Sequence, residues 1–137
     1  GGVRIGPAGV YRGVEGGAAV VESLAVSIEL ADGGHYLPLF VQLRPGVMLD
    51  DALRAEIRTA LRERFTPRHV PDEIIQVEAI PYTLTGKKLE TPVKKLLMGF
   101  PPERAASRDA MQNPLSLDWF IAFAAQLRAR LPVRRLD

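Results

Sequence analysis

The segment Pro81-Tyr82-Thr83-Leu84-Thr85-Gly86-Lys87-Lys88 places a lysine directly after a glycine, on what reads as a turn or loop. A lysine there carries a compact cation on a flexible stem to a phosphate or carboxylate in a neighbouring active site, and the glycine lets the backbone come close. The plainer reading is a solvated turn with two surface lysines. A nucleotide P-loop is excluded, because that motif needs a glycine five positions before Gly86 and Pro81 stands there. Arg54, Arg58 and Arg62 form a second set, spaced by four and so on one helix face. They suit either a phosphate contact or a solvated face complementing the helix dipole. In the third set, Gly2-Val3-Arg4-Ile5-Gly6, Arg4 can grip an anion held close to the backbone; a tight entry turn is the alternative. His35, beside a turn, and His69, between two prolines, read as surface or structural residues. No Ser-His-Asp set or paired carboxylate stands out.

Composition narrows the classes. The chain has 137 residues, 47% apolar and 25% charged, enough for one globular domain or a domain with a short appendage. With no cysteine and two histidines, a disulfide scaffold, a cysteine nucleophile and a metal centre are not expected. No run of 18 apolar residues and no basic-then-apolar leader is present, so a cytoplasmic protein without a membrane partner is expected. Residues 1–86 carry 8 arginines against 11 acids, whereas residues 87–137 carry 10 lysines or arginines against 5. The net charge of +2 does not suit nucleic acid, but anionic ligands would feel the local positive field. Lys87, Lys88, Lys94 and Lys95 lack interleaved aromatics for stacking on RNA, and Glu90 interrupts them. The opening Gly1-Gly2, without methionine, suggests a piece of a longer polypeptide.

The elements that position these residues follow from periodicity. After a glycine-rich start with a weak helix over residues 10–15, two alternating strands are expected: Leu24–Leu30 and Tyr36–Leu43. Asp32-Gly33-Gly34 joins them into a hairpin, and Pro38 places this part of its strand on a sheet edge. A helix from Asp50-Asp51 to Phe65 buries Leu53, Ile57, Leu61 and Phe65, with Arg62 and Arg64 near its C-terminus. Pro67 and Pro71 break it. A third strand spans residues 73–80, and Thr91 and Pro92 serve as N-cap and N1 of a short helix that Gly99 ends. Residues 100–115 read as an irregular connector. Ser116 caps a last helix reaching Leu131, expected to dock within the chain through Leu117, Phe120, Ile121 and Leu127. The fold class is α+β: a hairpin plus a third strand, flanking helices and an extra C-terminal helix.

The order Gly2-Val3-Arg4-Ile5-Gly6, Arg62, Leu84-Thr85-Gly86-Lys87 resembles the C-terminal domain of adenylate-forming acyl-CoA synthetases, a superfamily that includes luciferases and peptide-synthetase adenylation domains. The resemblance spans residues 1–98. It departs at Gly9, where the family commonly has a glutamate opening the first helix. Within the superfamily, Pro67-Arg68-His69-Val70-Pro71-Asp72-Glu73-Ile74-Ile75, Gly86-Lys87-Lys88-Leu89-Glu90 and Pro92-Val93-Lys94-Lys95-Leu96-Leu97 are similar to the acetoacetyl-CoA synthetase subfamily. So is Asn113-Pro114-Leu115-Ser116-Leu117-Asp118-Trp119-Phe120.

That resemblance implies a C-terminal lid domain over residues 1–99, with a connector and helical extension over 100–137. It implies a ligase using ATP, Mg2+ and CoA, bound mainly by an N-terminal adenylation domain that would be the chief partner. A carboxylate would attack the α-phosphate of ATP to give an acyl-adenylate and pyrophosphate, and the CoA thiol would then displace AMP. By residue-for-residue match Lys87 would be the catalytic, adenylate-binding lysine, and its acetylation would remove the charge. Arg4 and Arg62 would contact CoA phosphate, and Gly2 would let the pantetheine pass. The chain alone should be inactive. The alternatives are the same domain of an acetyl- or propionyl-type synthetase, or a stand-alone anion- or nucleic-acid-binding module using the basic C-terminal half.

Overall fold

Alternating apolar residues between Val20 and Leu43 pair as strands in the computed structural model, which describes residues 7–64 and 70–135. Strand β1 (Val20–Ala25) runs antiparallel to β4 (Pro38–Leu43), with Leu24 opposite Phe40 and Ala25 opposite Leu39. The hairpin tip pairs β2 (Ile28–Glu29) with β3 (His35–Tyr36) around a turn in which Gly33 has φ +90°. The first strand therefore begins at Val20 rather than at the expected Leu24, and it breaks at residues 26–27. A register shift between Val20 and Glu22 disturbs the side-chain alternation there, which hides the strand's start from a period-2 reading. The chain divides into two compact units. One joins the residues up to Ala25 with Leu37–Glu78; the other joins Val26–Tyr36 with the chain from Ala79 onward.

In the first unit, helix α2 (Asp51–Arg64) connects β4 to the parallel strand β5 (Glu73–Gln76), and the strand order is β1-β4-β5. Strand β4 is central from Leu39 onward, whereas Pro38 itself pairs only with Glu73 of β5, so the expected edge is confined to this end of the strand, on its β1 side. Leu39, Phe40 and Val41 are fully buried, as a strand covered on both faces requires. Proline is accommodated as the first residue of the strand, where the ladder to β1 has already ended at Ala25. The neighbouring donor is used elsewhere: Leu37 N–H donates to Asp72 Oδ2 at 2.7 Å, and Asp72 N–H returns to the Leu37 carbonyl at 2.8 Å. Strand β5 is shorter than the expected 73–80, although Val77 N–H still donates to the Val41 carbonyl.

Helix α1 (Pro7–Glu15) buries Val10 and Val14 against Val20, Leu39 and Val41, and Ile57 and Leu61 of α2 join the same core. Gly13 weakens an isolated helix by about 1 kcal/mol against alanine. Here side chains pin it to β1: the Tyr11 hydroxyl accepts from Ala25 N–H at 3.2 Å, and the buried Ser23 hydroxyl donates to Glu15 at 2.6 Å. Asp50 caps α2, accepting from Leu53 N–H at 2.8 Å. Phe65, Pro67, Arg68 and His69 lie outside the described residues, as do Gly2 and Arg4.

In the second unit, helix α3 (Glu90–Leu97) packs against α5 (Ser116–Arg130). The N-cap position of α3 belongs to Leu89, so Thr91 and Pro92 sit two positions further in than expected. Proline is tolerated there because the first-turn N–H groups have no intrahelical acceptor. Gly99, at φ +100°, closes the helix as expected, with Gly99 N–H bonded to the Leu96 carbonyl and Phe100 N–H to Lys95. Arg128 of α5 donates to the Leu96 carbonyl at 2.7 Å, and desolvation, then Arg135, lowers its pKa from the ordinary arginine value. Ser116 does not cap α5 by accepting a bond; its hydroxyl donates back to the Asn113 carbonyl at 2.7 Å. Leu117, Phe120, Ala124 and Leu127 are buried, so the last helix docks within the chain as its apolar face requires. The expected irregular connector contains helix α4 (Pro102–Ala105) and a 3-10 turn at Arg108–Ala110.

Candidate functional site

Lys87 stands on a small hairpin. Thr83 N–H donates to the Lys87 carbonyl at 2.8 Å, Leu89 N–H donates to the Pro81 carbonyl at 3.1 Å, and Tyr82 bridges Lys88. Gly86 N–H closes the turn onto the Thr83 carbonyl, and Gly86 takes φ +85°, a conformation that a side chain disfavours. The Thr83 hydroxyl oxygen accepts from Lys87 N–H at 3.0 Å and lies 3.1 Å from the Thr85 hydroxyl. The backbone on both sides of Lys87 is thus held while its side chain is exposed. Its ammonium has no hydrogen-bond or ion-pair partner among the described residues, so its three donors are available to an incoming anion.

Arg54, Arg58 and Arg62 line one open groove of about 360 Å³ along α2. They are not equivalent. Arg54 lies 3.6 Å from Asp51, and Arg58 donates to the Asp72 carbonyl at 3.4 Å. Arg62 is exposed and has no polar partner among the described residues. Arg62 belongs to the first compact unit and Lys87 to the second. His35 is exposed on the hairpin tip. Among the described residues no group of three histidines or acids could hold a metal ion.

Reading the sequence misses a second support for the lysine turn. Residues 110–113 run along the side of Tyr82–Leu84 opposite to Lys87 and Lys88. Leu84 N–H donates to the Ala110 carbonyl at 2.9 Å, Gln112 N–H to the Tyr82 carbonyl at 3.0 Å, and Thr83 bridges Met111. Asn113 adds both ends of its amide, donating to the Ile80 carbonyl at 2.8 Å and accepting from Tyr82 N–H at 3.1 Å. The available signal is Asn113-Pro114: a residue before proline favours extended backbone, from which an asparagine can pair like a strand.

Residues 16–87 match the AMP-binding enzyme C-terminal domain family. Over 90% of its length the chain is 38% identical to the acetoacetyl-CoA synthetase of Caenorhabditis elegans, covering 17% of that protein. The structure of acetoacetyl-CoA synthetase from Streptomyces lividans superposes with a TM-score of 0.81 at 43% identity, over 90% of this chain and 18% of that one. An acyl-CoA synthetase from Brucella canis superposes with a TM-score of 0.56 at 28% identity, over 64% of this chain and 16% of its own. The chain thus spans under a fifth of the length of the relatives it matches. A match that takes in more than half of the residues and ends on Lys87 itself makes this chain a member of the AMP-binding enzyme C-terminal domain family.

Proposed function

We propose that the chain is the mobile C-terminal part of a longer cytoplasmic acetoacetate–CoA ligase, with residues 1–99 as the lid and 100–137 as its connector and helical extension. The observation that carries this reading is the reach of the likeness. It covers 90% of the chain in an acetoacetyl-CoA synthetase but 64% in the Brucella acyl-CoA synthetase. In the proposed reaction an acetoacetate carboxylate oxygen attacks the α-phosphate of ATP, releasing pyrophosphate. The CoA sulfur then attacks the acyl carbon, and AMP leaves. ATP with its Mg2+ and most of CoA are held by the preceding domain, the chief partner of this one.

Lys87 enters the adenylation step as a preorganised cation beside the phosphate; its exposed, unpartnered side chain on a braced turn supports the role. Gly2 and Arg4 serve CoA by family match, and Arg62 contacts a CoA phosphate. In the intact enzyme, ATP–pyrophosphate exchange is expected to run faster with acetoacetate than with acetate, propionate or butyrate. A faster rate with any of these three overturns the acyl assignment.

The free guanidinium of Arg62 separates it from its neighbours on the stripe. Arg62→Ala is expected to raise the KM for CoA by roughly tenfold or more, the scale of one lost bond to a charged group. Adenylate formation should stay near normal. Equal damage from Arg54→Ala and Arg58→Ala, read in the same steady-state assay, would leave the stripe a structural role only.

A further inference from the structure

Pro81–Leu84 is the middle strand of a three-stranded patch, with the arm bearing Lys87 on one side and residues 110–113 on the other. The two sides are braced differently. The lysine arm is held by its own turn, a local device. The outer side comes from residues more than twenty positions further along the chain, beyond the family span of 16–87. Its strongest point is Asn113, whose amide brackets Pro81 by bonding to the residue on either side. Pro81 has no N–H to donate, and the Asn113 amide pairs instead with the carbonyl before it and the N–H after it. Asn113 is in turn fixed by α5, because its carbonyl accepts from both Ser116 N–H and the Ser116 hydroxyl.

We infer that Asn113 is a positioning residue for Lys87: it locks the strand from which the lysine turn springs, making the C-terminal extension part of the adenylation machinery. The inference rests on the reading of Lys87 as the adenylation lysine. Removing the clamp leaves the Ile80 carbonyl and Tyr82 N–H without their partner and lets the turn shift. A displacement near 1 Å at a reacting group can cost roughly a hundredfold in rate, so a loosened turn is expected to cost about tenfold.

The test uses the intact enzyme and measures the half-reactions separately. Asn113→Ala is expected to lower kcat for ATP–pyrophosphate exchange about tenfold, with the KM for ATP and for acetoacetate nearly unchanged. Conversion of supplied acetoacetyl-adenylate and CoA to thioester should hold its rate. In a Lys87→Ala background the same change should cost nothing more, because the clamp acts only through that side chain. Unchanged exchange, equal loss in both half-reactions, or additive loss in the double variant overturns the inference. Lys87→Ala alone, run in parallel, separates the two failures. If it spares exchange, the lysine reading falls and this inference with it; if it abolishes exchange selectively, a silent Asn113→Ala sinks the clamp alone. Should Asn113→Ala fail to fold, Asn113→Asp keeps the acceptor for Tyr82 N–H, loses the donor to Ile80, and is read on the same criteria.

Discussion

Replacing Lys87 with alanine in the intact enzyme is expected to cut ATP–pyrophosphate exchange by on the order of 10²–10³, the loss measured when one preorganised electrostatic contact to a transition state is removed. Negative charge builds around the α-phosphate as the carboxylate approaches, and a fixed ammonium lowers that barrier without reorganising. The structure supplies the fixing: Gly86, the Thr83 hydroxyl and the Pro81–Leu89 bond hold the backbone, while the side chain is free. On this reading the lid rotates before thioester formation and carries Lys87 away from the adenylate. Lys87→Ala should therefore still convert supplied acetoacetyl-adenylate and CoA to product. Lys88 is the internal control. It is half-buried, where Lys87 is exposed, and Lys88→Ala should be mild. Acetylation of Lys87 removes the same charge and should reproduce the alanine effect in both half-reactions. Near-normal exchange in Lys87→Ala, or parallel loss of both steps in a folded protein, refutes the assignment.

How much of this is legible in the sequence depends on whether the determinant is local. Gly86 and Lys87 are legible because a glycine in a left-handed turn and a proline ahead of it act within eight residues. The hairpin shows for the same reason, since Asp32-Gly33-Gly34 and flanking alternation are local signals. Leu53, Ile57 and Leu61 give the buried face of α2 by their spacing. The place of Pro38 is not legible that way. Its strand becomes central because β5 pairs with it in parallel across a helical crossover, and the partner of Leu37 in that pairing, Asp72, lies 35 residues further along the chain. Thr91 misleads because its chemistry suits an N-cap, yet Leu89 N–H is already bonded to the Pro81 carbonyl and the helix starts there instead. Residues 110–113 are the most instructive case. They pair with Tyr82–Leu84 through one isolated bridge and one asparagine side chain, too short a run to produce any alternation, so the outer brace of the candidate site leaves almost no periodic trace.

The stability of that brace rests on α5, and Phe120 is its most sensitive point. The ring is fully inaccessible to solvent, in company with the buried Leu117 and Leu127 of the same helix face. Truncating a buried phenylalanine removes its transfer energy and leaves a cavity that the surroundings only partly close, at a typical cost of about 3–5 kcal/mol. Trp119, the sole tryptophan, is a local reporter: its ring meets Phe120 edge-on at 5.0 Å and stacks on Phe123 at 5.1 Å. Urea unfolding of Phe120→Ala, followed by Trp119 fluorescence and by far-ultraviolet circular dichroism, should show the midpoint falling by the equivalent of that cost. Fluorescence baselines will change because a neighbouring ring is lost, but the midpoint does not depend on them. Ala122→Ser, at an exposed position on the same helix, should move the midpoint by less than about 0.5 kcal/mol, the usual scale of surface substitutions. If Phe120→Ala behaves like that surface change, α5 is not docked through this face, and the support it lends to Asn113 through Ser116 loses its foundation.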